Sequence, residues 1–249
     1  MMKKNISGSE HLLKEVSFLS DSYTLKGMLH LPEAKSPPVV IGSHGLLSTG
    51  ESPKQIELAR KCNDLGIAYL RFDHRGCGKS GGFFKEVTSL ESRCKDLICA
   101  YNMICERNDT GDRIGLFGSS LGGAASISVA CELKIDAIVT FAAPLRSSSI
   151  FDAAKGSDDY KTCENLFNEE KLIFNISEKI EKIHNIIVFH GDADTVVPPS
   201  YAKMIYDKAK PPKKIVIQKG GDHNMSCKEH QESFVKQAAS WFESSFFHK

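Results

Sequence analysis

Arg113-Ile114-Gly115-Leu116-Phe117-Gly118-Ser119-Ser120-Leu121-Gly122-Gly123-Ala124-Ala125 is the stretch that decides the fold. The strand-like run from Arg113 to Phe117 leads into Gly118-Ser119-Ser120-Leu121-Gly122, a G-x-S-x-G sequence, and small residues follow it. That order suits a sharp strand-to-helix turn, which lifts a serine hydroxyl above the end of a sheet. Gly123, Ala124 and Ala125 then let the outgoing helix pack close to the strands. A second match, Gly78-Lys79-Ser80-Gly81-Gly82, has neither the strand before it nor the small residues after it. Its Gly-Lys-Ser also fails as a phosphate-binding loop, because the glycine required five positions before Gly78 is Asp73. Ser119 is out of register, with Phe117 and Leu121 two residues to either side. Ser120 is therefore the candidate nucleophile.

Outward from this turn, strand-length apolar runs alternate with segments of helical period, the pattern of a mostly parallel sheet covered on both faces. The expected strands are 16–20, 25–31, 39–42, 67–72, 113–117, 135–141, 186–189 and 214–218, the first two as an antiparallel pair. Helices are expected over 53–65, 88–107, 120–133, 200–208 and 228–246, with Pro53 suited to a first helical turn. The lysines at 208, 210, 213 and 214 read as the solvated C-terminal end of a helix. The fold class is α/β, with an eight-stranded sheet.

Length and composition bound the function. At 249 residues the chain is expected to form one α/β domain, 1–249. Hydrophobic residues at 41% and charged residues at 25% exclude disordered and fibrous classes. With 32 basic and 31 acidic residues and no block of like charge, nothing favours a nucleic acid or an anionic membrane. A small-molecule partner is expected; oligomeric state is open. Met1-Met2-Lys3-Lys4-Asn5-Ile6-Ser7 starts positive but continues polar where a secretory signal would turn apolar, and no run of about eighteen apolar residues offers a membrane span. The eight cysteines form no C-x-x-C pair and read as reduced thiols, so the expected location is cytoplasmic. No His-x-x-x-His or comparable ligand spacing calls for a metal, and no cofactor is expected.

A serine hydroxyl needs an imidazole to take its proton and a carboxylate to orient that imidazole. In the chain order Ser, Asp, His, the segment Phe189-His190-Gly191-Asp192-Ala193-Asp194-Thr195-Val196-Val197-Pro198 ends a strand and offers two carboxylates, Asp192 and Asp194. His223, in Gly220-Gly221-Asp222-His223, lies between the last strand and the last helix, where an imidazole can reach back to the turn. His190, at a strand end beside Gly191, is better suited to packing or capping. One backbone donor for a developing oxyanion follows from the turn itself, at Leu121.

Ser43-His44-Gly45-Leu46, Asp73-His74-Arg75-Gly76-Cys77-Gly78-Lys79-Ser80, the turn at Ser120, and His190-Gly191-Asp192-Ala193-Asp194 with Gly221-Asp222-His223 occur together over residues 43–223. In this order and spacing the chain resembles the α/β-hydrolase family, specifically its cinnamoyl (feruloyl) esterases and monoacylglycerol-lipase-like serine hydrolases. The resemblance implies an α/β-hydrolase fold and a Ser120, Asp194, His223 triad, with Asp194 as the aspartate before x-x-V-P. It assigns the second oxyanion donor to Leu46 and makes 73–80 a structural loop that fixes the chain near His44. It also implies a lid where over forty residues separate the expected strands 135–141 and 186–189, about 145–183. Its apolar residues would be Ile150, Phe151, Leu166, Phe167, Leu172, Ile173, Phe174 and Ile176. The expected activity is cleavage of carboxylic esters with short acyl or aryl groups through an acyl-enzyme. The same triad would also serve an amidase, peptidase or thioesterase, and the fold alone would serve a binding protein.

Overall fold

A computed structural model describes residues 12–147 and 168–248. Apolar runs with no polar alternation form buried parallel strands: β3 (Val39–Ser43), β4 (Ala68–Phe72) and β6 (Ala137–Phe141) are buried at every position. They join β1 (Leu12–Ser20), β2 (Tyr23–Leu31), β5 (Ile114–Ser119), β7 (His184–Gly191) and β8 (Lys210–Gln218) in one eight-stranded sheet of order β1-β2-β4-β3-β5-β6-β7-β8. β1 pairs antiparallel with β2 and β2 with β4; every other pairing is parallel. This is the mostly parallel sheet expected from the sequence.

Residue alternation sends side chains to two cores. Ile41, Leu70, Leu116, Ile138 and Val188 face one side, while Val40, Tyr69, Phe117, Val139 and Phe189 face the other. The second face is covered by α1 (Pro53–Asp64) and by α6 (Lys228–Phe247), whose Phe234 ring lies 5.4, 6.3 and 5.0 Å from those of Phe117, Phe141 and Phe189. On the first face lie α3 (Leu90–Cys105), α4 (Leu121–Val129) and α5 (Ser200–Lys208). A one-turn helix, α2 (Phe84–Val87), precedes α3, which starts later than its sequence suggests because Ser89 and Ser92 form a reciprocal cap. The chain runs from β3 to β4 on one side and then crosses to β5 on the other. The strand order thus reverses at β3, which makes the C-terminal ends of β3 and β5 the switch point of the sheet.

Two expectations are corrected. Lys210, Lys213 and Lys214 belong to the edge strand β8, and only Lys208 ends a helix. Lysine and proline at an edge discourage pairing with another chain, so the Lys-Pro run fits this place as well as a helix end. In the expected lid, Leu172 and Ile176 are buried in the main core, and Ile173 is 74% exposed. The ends of the insertion are joined: Arg146 bridges to Asn175, and the Ser147 N–H donates to the Phe174 carbonyl at 3.2 Å. Ile150, Phe151, Leu166 and Phe167, the rest of the expected lid surface, lie outside the described residues.

Candidate active site

The turn after β5 is built by close approach. A Cβ on Gly118 would meet the Gly122 carbonyl at 2.4 Å, and one on Gly122 would meet the Ser43 carbonyl at 2.1 Å, so both flanking positions exclude a side chain. Between them Ser120 takes φ +51° and ψ −123°, a backbone conformation rare outside glycine. The surroundings hold it there: the Ser120 N–H donates to the Phe141 carbonyl at 2.8 Å, and its own carbonyl accepts from Gly123 at 2.7 Å.

Ser120, His223 and Asp194 are brought together from three separate loops. The Ser120 Oγ lies 3.2 Å from His223 Nε2, and His223 Nδ1 donates to Asp194 Oδ2 at 2.8 Å. Asp194 Oδ1 accepts the N–H groups of Val196 at 2.8 Å and Val197 at 2.9 Å. Burial alone would raise the Asp194 pKa. Hydrogen bonds from His190 and His223, the His223 charge and the Val197 N–H together hold this carboxyl well below the usual carboxylate range. It therefore stays ionised and orients an imidazole that can take the Ser120 proton. The His223 side chain is 18% exposed, and its loop is fastened where Lys54 Nζ donates to the Asn224 carbonyl at 2.9 Å.

The rival residues lie in different surroundings. Asp192 is exposed and accepts the Gly220 N–H at 2.6 Å, fastening a turn. His190 is fully buried behind the acid, with Nε2 2.9 Å from the Val197 carbonyl and 3.1 Å from Asp194 Oδ2. It therefore touches the carboxylate directly, a contact its strand-end position did not announce. Ser80 donates to the Asp73 carbonyl at 2.6 Å and accepts from the Lys26 N–H at 2.9 Å.

The loop after β3 brings Gly45 beside the turn, where a Cβ on Gly45 would lie 3.5 Å from the Ser120 Cβ. Leu46 follows it, and Leu121 opens α4, whose first N–H groups have no partner within the helix. Among the described residues neither of these two backbone N–H groups has an acceptor. The loop is held from below. His44 Nε2 accepts the His74 N–H at 3.1 Å, and His44 Nδ1 donates to the Gly45 carbonyl at 2.8 Å. Burial, then Arg93 and His74, keep the His44 pKa well below its ordinary value, so the ring is neutral.

Residues 73–80 supply the layer beneath. The Asp73 carboxylate accepts from Gly50 and Lys79, and Arg75 binds Asp96 through Nε at 2.7 Å. Asp96 also accepts from His74 Nδ1 at 3.3 Å, and the Ser43 hydroxyl lies 2.8 Å from His74 Nε2. Sequence reading missed Arg93, which reaches the loop after β3 from α3. Its signal was an arginine among Leu90, Leu97, Ala100 and Ile104, the buried apolar positions of that helix. Among the described residues no cluster of three His, Cys, Asp or Glu side chains is arranged to hold a metal ion, and the seven described cysteines are free thiols. No described helix is long and apolar enough to cross a membrane.

Residues 34–166 match the serine aminopeptidase (S33) family. The chain belongs to this α/β-hydrolase family. Among its relatives, the human protein ABHD12B is 26% identical over 214 residues, covering 77% of this chain and 57% of its own. The mouse mitochondrial palmitoyl-protein thioesterase ABHD10 is 26% identical over 215 residues, covering 77% of this chain and 70% of its own. The chain spans 57–65% of the length of the human protein and of several bacterial relatives. Among solved structures, Est1E of Butyrivibrio proteoclasticus with bound ferulic acid superposes with a TM-score of 0.76 at 20% identity, covering 92% of this chain and 98% of its own. At that identity the likeness establishes the shared α/β-hydrolase fold.

Proposed function

We propose that this member of the S33 family is a serine esterase in which Ser120 is the nucleophile, His223 the general base and acid, and Asp194 the residue that orients His223. The observation that carries the reading is the continuous series of hydrogen bonds from the Ser120 hydroxyl through both His223 nitrogens to a buried carboxylate. The backbone N–H groups of Leu46 and Leu121 are proposed as the oxyanion hole, since Leu121 follows Ser120, Leu46 follows Gly45, whose backbone passes beside Ser120, and neither N–H has an acceptor among the described residues.

In the first half-reaction the Ser120 Oγ attacks the ester carbonyl carbon as its proton passes to His223 Nε2, and the carbonyl π pair moves onto oxygen. The resulting oxyanion accepts from Leu46 and Leu121. Its collapse expels the alkoxide, which takes the proton from His223 and leaves as the alcohol. Water then repeats the sequence on the acyl-enzyme: His223 takes a water proton, hydroxide adds to the carbonyl, and Ser120 departs with the returned proton. The Asp194 carboxylate stays ionised throughout and stabilises the imidazolium formed in each half.

Leu46 is half-buried and its neighbour Leu47 exposed, and we take this pair as a small apolar surface suited to short acyl or aryl groups. An apolar wall discriminates by only about 1–3 kcal/mol per methylene, so acyl preference should be graded. A thioester is the second reading, favoured by the likeness to the mouse palmitoyl-protein thioesterase. The test is kcat/KM across p-nitrophenyl acyl esters of increasing length, methyl ferulate, acyl thioesters and amino-acid amides. Highest values on short acyl or aryl esters support the proposal, higher values on matched thioesters move it to the second reading, and inactivity on all of them overturns both.

A further inference from the structure

Arg93 occupies a core position of α3 and is 1% exposed. Among the described residues it has no carboxylate partner, and its Nε has no acceptor. Asp96, the acid that acts on it through space, is already bound by Arg75 and His74. A charge buried without a counter-ion is costly, and packing alone would be served better by leucine or methionine. The acceptors Arg93 has explain its presence. Nη1 donates to the His44 carbonyl at 2.8 Å, Nη2 donates to the Leu46 carbonyl at 3.1 Å, and Nη2 lies 3.7 Å from the Cys77 Sγ.

Those two carbonyls flank the peptide that matters. A trans peptide sets its N–H opposite its C=O, so the direction of the Leu46 N–H is fixed by the Gly45 carbonyl, which the His44 ring holds. The peptides on either side, with carbonyls on His44 and Leu46, are both held by the one planar guanidinium. Three consecutive carbonyls are thereby tied toward the core while the loop passes beside Ser120. The two-pronged geometry matters, because an ammonium is a single point donor and could not span both carbonyls in the same way.

We propose that Arg93 is a positioning residue for the oxyanion hole: its fork clamps residues 44–46 so that the Leu46 N–H is aimed at the tetrahedral intermediate, and its fixed charge favours the oxyanion. The inference rests on the proposed roles of Ser120 and Leu46. It goes beyond them by naming the side chain that preorganises a backbone donor.

The experiment compares the parent chain with Arg93→Met, Arg93→Lys and Ser120→Ala. Each is titrated to its endpoint with a fluorophosphonate, which counts reactive serines, and kcat and KM on a p-nitrophenyl ester are then expressed per titrated site. Thermal unfolding of each variant is followed in parallel. Deleting a single oxyanion donor costs about 10²–10³ in kcat, so loosening one should cost roughly 10–100-fold in Arg93→Met and a few-fold in Arg93→Lys. KM should move less than about threefold, since the interaction strengthens in the transition state. A merely structural role would instead lower the number of titratable serines or the unfolding temperature and leave kcat per site unchanged; that result overturns the proposal. If Arg93→Met does not fold, Arg93→Lys decides on the same criterion. Turnover and labelling that persist in Ser120→Ala would overturn the esterase reading itself, whereas a silent Ser120→Ala beside normal Arg93 variants would overturn only the clamp.

Discussion

Gly118-Ser119-Ser120-Leu121-Gly122 and Gly78-Lys79-Ser80-Gly81-Gly82 satisfy the same five-residue pattern and lie in unlike surroundings. In the first, a buried parallel strand ends and a small-residue helix begins, so the serine sits at positive φ with its hydroxyl turned to His223. In the second, the chain is a loop between β4 and α2, and the serine hydroxyl joins the Asp73 carbonyl to the Lys26 N–H of β2. On the proposed reading, reactivity belongs to the hydroxyl whose hydrogen bond goes to a histidine base. A hydroxyl with both hydrogen-bonding roles already filled by backbone is a brace.

The largest effect that would break this comparison is on turnover. Ser120→Ala should lower kcat by roughly 10⁴–10⁶, the scale seen when a triad serine is removed. Ser80→Ala should keep kcat per titrated site within about twofold of the parent. Matching losses, in proteins that both unfold cooperatively, would mean that the strand-turn-helix setting does not distinguish the two serines. The two carboxylates sharpen the same point at the next level. Asp194→Asn should cost about 10³–10⁴ in kcat by disturbing the His223 tautomer, while Asp192→Asn removes only an exposed turn contact and should cost less than about threefold. A reversed order of kcat values would transfer the orienting role to Asp192.

Parallel strands β3 to β7 were legible because each is a short apolar run bounded by turn residues, and Ser120 was legible because such a strand leads straight into its turn. His223 followed from chain order. Both Asp192 and Asp194 follow a strand, so the choice of Asp194 came from the resemblance, which takes the aspartate before x-x-V-P; it is also the carboxylate that the fold buries against His223 and His190. Lys210 to Lys214 read as a helix end because lysine suits both a helix C-terminus and an exposed edge strand, and only the partner strand β7 separates the two. Leu172 and Ile176 read as lid because they lie in the long insertion between two strands, and apolar character says that a residue is covered without saying by what. Arg93 was hidden for the opposite reason: its acceptors are main-chain carbonyls from a loop almost fifty positions earlier, which no side-chain pattern reports.

The loop that carries Ser80 should show itself in acid rather than in turnover. Burial, then Arg93, push the His74 pKa down to about 4 from an ordinary 6.5, against the opposing pull of Asp96. The unfolded chain therefore binds more protons than the folded one between these values. The stability from a neutral His74 is complete above about pH 6.5, falls as pH drops toward 4, and is gone below it. The largest loss is on the order of 3 kcal/mol for a shift of this size. Asp96, held at about 2, loses its contribution as pH falls from its ordinary 3.8 to about 2, below this window. Unfolding temperature measured from pH 7.5 to 4 should fall steadily, and His74→Gln, neutral throughout, should fall less steeply. Equal slopes would mean that His74 is already protonated in the folded protein.

The smallest effect concerns the brace itself. Ser80→Ala removes a donor to the Asp73 carbonyl and leaves the Lys26 N–H without its acceptor. The contact with Lys26 is exposed, so losing it costs no more than an ordinary hydrogen bond, about 0.5–1.5 kcal/mol, and each kcal/mol lowers the unfolding temperature of a chain this size by about 2–4 °C. A drop of a few degrees with turnover per site within about twofold is the expected result: Ser80 holds the Asp73 carbonyl of the peptide whose N–H reaches His44, but residues 44–46 keep their separate ties to Arg93. Ser80→Thr keeps the hydroxyl and should recover most of the loss. An unchanged unfolding temperature in Ser80→Ala would show that water replaces the hydroxyl freely, and the contrast between the two serines would then rest on His223 alone.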